Sequence, residues 1–365
     1  MEPECLPFVK VVRLNNNNFE NIPKWFLTFR CTNLEEFNYS CNKANHYKYL
    51  KNSFCLNLIK LKKLELRNSC LIDRDYDFLK CFKSISYLDI SNEGLTTRNC
   101  LNKFHELDEL FVKPKWKELH ILRLESLSIS LFPEGIAWIE TLRELYLTNN
   151  NLSWLLDDIQ FLVNLEVLDI SNNSIVAIPS TLVSLVNLTV LRASDNSIES
   201  VFDFSLMHNL KTLDLYNNLL DTIAFSMDTI DFVDLEGNYY DTKHFENYSA
   251  YEEKKNFLRN RYSYQRYDGP KTVLETFTSS SSDSDEDAYY ERSLKIDCTS
   301  SNLISIDETE NWDLPVKSKM KNPEIDSVDD DWQGEDKKFY LKGYSKKDRV
   351  YVSDDDWMFI DFEES

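Results

Sequence analysis

Leucine, isoleucine and asparagine recur along this chain with a period of 22–23 residues. The pattern is plainest in four successive copies. The first holds Leu142, Leu145, Leu147, Asn150 and Leu152, and the second Leu165, Leu168, Ile170, Asn173 and Ile175. The third holds Leu188, Leu191, Ala193, Asn196 and Ile198, and the fourth Leu210, Leu213, Leu215, Asn218 and Leu220. The template is L-x-x-L-x-L-x-x-N-x-L, and a period of ~20–50 residues marks a stacked array. The x-L-x-L stretch alternates apolar and polar residues, which predicts a short strand with one row of side chains facing in and one facing out. The first, fourth, sixth and eleventh places fill the interior of a coil. The asparagine stands where the chain leaves the strand. Its amide can donate to and accept from backbone groups that a tight turn leaves unpaired, including those of the next coil. One unit cannot bury its apolar face alone, so the copies must stack.

Weaker copies extend the array toward the N-terminus. Val9, Val12, Leu14, Asn17 and Phe19 form one, and Leu34, Phe37, Tyr39, Asn42 and Ala44 another. The unit of Leu61, Leu64 and Leu66 carries Ser69 in the asparagine place, that of Ile85, Leu88 and Ile90 carries Glu93, and that of Leu119, Leu122 and Leu124 carries Leu127. Leu107, Leu110 and Val112 begin a unit that Pro114 and Trp116 interrupt, and Ile230, Val233, Leu235, Asn238 and Tyr240 form a last one. This predicts roughly ten or eleven units ending near residue 240, the best of them from 119 onward. In the connecting halves Ile178-Pro179 is followed by Leu182, Leu185 and Leu188, and Phe132-Pro133 and Ile22-Pro23 echo it. That spacing predicts short helical or 3₁₀ turns on the convex side, opened by proline.

On these residues the chain resembles the leucine-rich repeat family. Its connecting halves are similar to those of intracellular scaffolds of the Ras-pathway type. The resemblance implies an α/β solenoid: a horseshoe with a parallel β-sheet on its concave face, used to bind other proteins. It does not identify a partner, because fold does not fix function.

The repeat domain is expected over residues 1–240. An open solenoid end exposes its last apolar layer, so a capping element is required. Phe245, Tyr248, Tyr251, Phe257, Leu258 and Tyr262 recur at mostly helical spacing, which predicts a capping helix within 241–268. Asp268-Gly269-Pro270 then marks a boundary. From 269 to 365 the composition predicts an acidic, largely disordered tail.

In such a fold the outward strand positions form a ladder across the concave face. The fifth place supplies Arg123, Tyr146, Asp169, Arg192, Asp214 and Asp234, and the seventh supplies Tyr216 and Glu236. Tyr and Arg are typical interface anchors. Asp169, Asp214, Asp234 and Glu236 would make an acidic stripe around Arg192 and attract a partner with a basic surface. Asn150, Asn173, Asn196, Asn218 and Asn238 are expected to form a structural ladder beside the sheet.

Charge narrows the partner class. The net charge is −21, and residues 270–365 alone carry −13. This balance argues against nucleic acid, which requires clustered Lys and Arg, and against an anionic membrane surface. The eight cysteines are scattered, with no zinc spacing and no cysteine-rich caps. There is no apolar run of the ~20 residues that span a bilayer and no secretory leader pattern. These features predict a soluble protein with reduced thiols in the cytoplasm or the nucleus, neither secreted nor membrane-spanning.

The tail carries candidate short motifs. Ser279–Asp287 fits acidophilic kinase sites at Ser280, Ser282 and Ser284, or a solvating linker. Asp354, Asp355 and Asp356 precede Trp357, with Ile360 three residues on. This resembles the motif that binds ubiquitin-like autophagy modifiers by strand addition, with Trp357 and Ile360 in two pockets. Docking on the chain's own surface, or on another partner, is the alternative.

No catalytic constellation is present. The five histidines are isolated, and no P-loop, nucleophile elbow or H-E-x-x-H occurs. The expectation is therefore a non-enzymatic scaffold without cofactors that binds a protein on its concave face. Two alternatives remain: a substrate-recruiting or regulatory subunit of a phosphatase or ubiquitin ligase, and an acidic chaperone of basic nuclear proteins.

Overall fold

The computed structural model describes residues 8–22, 31–43, 58–93, 100–112, 116–223, 225–262, 265–271, 348–353 and 356–360. Among the described residues ten repeats contribute one three-residue strand each: β1 (Val11–Arg13), β2 (Glu36–Asn38), β3 (Lys63–Glu65), β4 (Tyr87–Asp89), β5 (Ile121–Arg123), β6 (Glu144–Tyr146), β7 (Val167–Asp169), β8 (Val190–Arg192), β9 (Thr212–Asp214) and β10 (Phe232–Asp234). They pair in parallel in chain order, as consecutive coils of a solenoid must. The register is set by the leucine rows. Leu122, Leu145, Leu168, Leu191, Leu213 and Val233 are successive partners, and each is fully buried. The expected horseshoe sheet is therefore present, with one continuous apolar interior.

The asparagine ladder holds coil to coil as its chemistry predicts. Asn150 Nδ2 donates to Leu124 O and to Leu147 O at 2.8 Å each, and its Oδ1 accepts from Leu127 N and Ile129 N at 3.0 Å each. Asn173, Asn196, Asn218 and Asn238 repeat the two carbonyl bonds and accept from one N–H of the preceding coil. At the coil with Glu93 in the asparagine place, an asparagine from elsewhere takes over the role. Asn102, and not Glu93, bridges Leu66 O and Ile90 O and accepts from Ser69 N and Leu71 N. An insertion carries this asparagine out of register, so a fixed template looks for it in the wrong place.

The residue before the ladder asparagine is left-handed. Asn149, Asn172, Asp195, Asn217 and Gly237 have φ of 59°, 55°, 56°, 54° and 69°. These are the residue types that tolerate this region. Their side chains add a second ladder, with Asn172 Nδ2 donating to Asn149 Oδ1 at 2.7 Å and Asn217 Nδ2 to Asp195 Oδ1 at 2.8 Å.

The connecting halves hold the expected 3₁₀ turns. Glu134–Trp138 follows Pro133, Asp157–Phe161 follows Leu156, and Ser180–Ser184 follows Pro179. Two short helices, α1 (Tyr76–Leu79) and α2 (Asp108–Phe111), occur where units are irregular. The unit that begins at Leu107 thus forms a helix and adds no strand. Gly135 lies against the carbonyl of Phe111 so closely that a Cβ there would overlap it.

At the C-terminal end α3 (Tyr248–Tyr262) packs on β10. Tyr251 and Leu258 are buried, and the Tyr251 hydroxyl accepts the Leu235 N–H at 3.1 Å. That N–H belongs to the last coil, which has no following repeat to bond. At the other end, β12 (Asp356–Ile360) pairs antiparallel with β1 and with β11 (Asp348–Ser353). Both strands lie inside the segment whose composition predicts no regular structure. Their sequences, Arg-Val-Tyr-Val and Trp-Met-Phe-Ile, are rich in β-formers amid the acidic surroundings.

Candidate protein-binding face

With the fourth and sixth places buried, strand alternation forces the fifth and seventh outward. Arg123, Tyr146, Asp169, Arg192, Asp214 and Asp234 are successive register partners across β5–β10. Tyr216 and Glu236 stand two residues further along β9 and β10. The structure thus brings all eight onto one face, but divides them into a closed part and an open part.

The closed part lies over β9 and β10. Residues 265–271 run back from α3 across it. Arg266 donates to Asp214 Oδ1 and Oδ2 at 2.8 and 2.9 Å and to Asp234 Oδ2 at 2.9 Å. Arg259 of α3 donates to Asp234 Oδ2 at 2.9 Å, and Lys255 Nζ lies 3.5 Å from Glu236 and 3.0 Å from Asp268. The Gly269 N–H donates to Glu236 at 2.8 Å, and the Tyr267 ring meets the Tyr216 ring at 5.6 Å. Asp214, Tyr216, Asp234 and Glu236 are accordingly buried.

The expected acidic stripe is therefore not open at this end, because the chain supplies its own cations. Two aspartates on adjacent strands stand only ~4.8 Å apart in the ladder direction, and buried carboxylates must be paired. Burial pushes the Asp214 carboxyl up while Arg266 pulls it down. The signal for this closure was in the sequence, as Lys255, Arg259 and Arg266 just past the last acidic repeats.

The open part spans β3 to β8. Arg67 pairs with Asp89 at 2.5 Å and Arg192 with Asp169 at 2.7 Å. Arg123 lies 3.8 Å over the Tyr146 ring and donates to Glu125 at 2.7 Å. Tyr146 is half-buried and donates to Glu144 at 2.8 Å. Burial pushes the Glu125 carboxyl up, and although Arg123 opposes this, the charges of Asp89 and Asp169 add to the push. Glu125 is paired with Arg123, as Asp214, Asp234 and Glu236 are paired with Arg266, Arg259 and Lys255, but it lies in the part that residues 265–271 do not cover. Arg123 Nε and Ser171 Oγ are buried polar atoms with no hydrogen-bond partner among the described residues. At the border with the closed part, the Tyr262 ring lies 4.7 Å from the Arg192 guanidinium.

Of the tail motif, Asp356, Trp357 and Ile360 belong to β12 at the β1 edge, with Arg13 opposite Phe359. Asp354, Asp355 and the serine run 279–287 lie outside the described residues. Among the described residues no cluster of three or more His, Cys, Asp or Glu could hold a metal ion. No helix there is long and apolar enough to cross a membrane.

A family model described as "Leucine rich repeat" matches residues 140–198, and one described as "Leucine Rich repeats (2 copies)" matches residues 186–226. No curated protein matches the sequence. Among solved structures the fold is similar to a leucine-rich repeat protein of Leptospira interrogans, at 18% identity and a TM-score of 0.51 over 68% of this chain and 65% of that one. It is also similar to two Arabidopsis thaliana receptor kinases. One is the ectodomain of GASSHO1/SCHENGEN3 in complex with CASPARIAN STRIP INTEGRITY FACTOR 2, at 21% identity and a TM-score of 0.46 over 63% of this chain and 30% of that one. The other is HAESA in complex with a peptide hormone and a co-receptor, at 19% identity and a TM-score of 0.48 over 64% of this chain and 39% of that one. The chain spans less than two thirds of the length of each.

Proposed function

The chain is a leucine-rich repeat protein, and we propose that it is a non-catalytic scaffold that grips a protein with a basic surface on the open part of its concave face, between β3 and β8. The reading rests on Glu125, a carboxylate of the uncovered strands that is paired with Arg123 and carries the added negative field of Asp89 and Asp169. A Lys or Arg from a partner would offset that field. Tyr146 supplies the apolar anchor. The scattered spacing of the eight cysteines, without cysteine-rich caps, supports a reducing compartment, cytoplasm or nucleus.

The tail segment Asp356–Ile360 bonds β1, so it can add to an outside sheet, such as that of a ubiquitin-like modifier, only after leaving that edge. The two roles of the chain are therefore separable.

The test uses a partner captured by the full chain and then purified. Glu125→Gln should weaken binding by about tenfold or more, since a hydrogen bond to a charged group contributes ~1.5–3 kcal/mol. Circular dichroism should show the fold intact. Unchanged affinity would remove the open face from the account.

A further inference from the structure

The back of the solenoid carries a second surface, unrelated to the concave face. Of the large apolar side chains exposed among the described residues, Leu131, Trp138, Trp154, Phe161, Val163 and Val186 come from the consecutive coils of β5–β7. Repeat geometry groups them. Trp138 ends one 3₁₀ turn and Phe161 the next, 23 residues on, so adjacent coils place the rings side by side. They stack at 5.1 Å with 17° between planes, yet stay 58% and 40% exposed. Val163 and Val186 stand at the equivalent place of successive coils, 47% and 63% exposed. Nothing in the fold needs these residues outside, because the leucines of the same turns, Leu162 and Leu185, already fill the core. A contiguous aromatic and aliphatic patch on a soluble surface marks a contact site.

Charge says what kind of contact. Between Arg123 and Arg192 the chain holds one cation, Arg143, and, setting aside Glu125 and Asp169 of the concave face, six carboxylates. Arg143 is itself paired with Glu166 at 2.8 Å. Glu134 and Glu140 flank Trp138, and Asp157 and Asp158 open the turn that ends in Phe161. The apolar strip is therefore rimmed by negative charge. The same charge disfavours a second copy of this chain, and it disfavours the chain's own tail, which carries −13. We infer that the Trp138–Phe161 strip is a docking surface for a basic amphipathic helix of a partner protein, its apolar side on the two rings and Val163 and its Lys or Arg residues over Glu134, Glu140, Asp157 and Asp158. Helices suit the site because side chains three and four apart share a face over ~5 Å, the spacing at which the coils repeat.

The probe is a fluorescein-labelled helix of leucine and lysine, about 18 residues or ~27 Å long, titrated with the full chain and read by anisotropy. The wild type binds it and leaves the leucine–glutamate counterpart free. Trp138→Ser with Phe161→Ser weakens binding by about 30-fold, the ratio that corresponds to one interface hot spot. Thermal melting by circular dichroism is unchanged, because both rings are exposed. Ile59→Ser, at an exposed apolar side chain several coils away, binds like the wild type, which separates this strip from apolar exposure in general. Equal affinity of the double variant and the wild type would overturn the inference, since the acidic tail would then account for the binding. Sedimentation showing a dimer that the double variant dissolves would overturn it too, by giving the strip to a second copy.

Discussion

Replacing Arg266 by Met tests how the C-terminal third of the concave face is closed. The substitution keeps most of the apolar stem and removes the guanidinium. It deletes three charge-assisted hydrogen bonds, two to Asp214 and one to Asp234, and both aspartates are 0% exposed. Breaking a buried pair by removing one partner costs ~3–5 kcal/mol. The lower end, about 3 kcal/mol, is expected here. Asp234 keeps Arg259 at 2.9 Å, and Asp214 can shed its charge by taking a proton. Urea unfolding followed by circular dichroism reads the loss as a shift in midpoint at constant slope.

The pH dependence identifies the mechanism. Without the guanidinium, burial holds the folded Asp214 pKa above its unfolded value of ~3.9. The deficit is then full above the folded pKa and shrinks as pH falls through it. Asp214→Asn in the Arg266→Met background should recover part of the loss, with a coupling energy of about 1–3 kcal/mol. A loss under about 1 kcal/mol, the size of a surface pair, would refute the reasoning. So would a deficit that is the same near pH 4.5 and near pH 7.5.

Two further outcomes follow from the geometry. Asn150→Ala strands two buried carbonyls and two N–H groups of adjoining coils and should cost about 3 kcal/mol in urea unfolding, whereas Asn149→Gly, which keeps the left-handed φ, should stay within ~0.5 kcal/mol. Burial works to raise the Asp73 carboxyl, but the Tyr76 hydroxyl at 2.6 Å and the N–H groups of His105 and Glu106 hold it at about 2. Its contribution is present above the unfolded value of ~3.9 and is lost as pH falls toward about 2, so an acid titration of Asp73→Asn should show a smaller fall in stability across that window.

The coil interior was legible because burial imposes a strict place for each leucine, and the register follows from it. The left-handed position before each ladder asparagine was equally present, as Asn149, Asn172, Asp195, Asn217 and Gly237, but an apolar template does not look there. Asn102 escaped because an insertion separates it from the coil it serves. Closure by 265–271 escaped for a different reason. Nothing periodic links Arg266 to Asp214 across 52 residues, and only the summed demand of buried carboxylates for cations predicts such a contact. That the fifth-place residues share one face follows from strand alternation, but which of them the chain's own cations cover depends on packing that sequence does not display.

Hydrogen exchange of the full chain, with and without its captured protein partner, tests the central claim most directly. Partner binding should add protection at 121–125, 144–148 and 167–171, the open strands and the turns that follow them, and leave 212–216 and 232–236 unchanged. Added protection confined to 212–236, with 121–171 unaffected, would contradict the account.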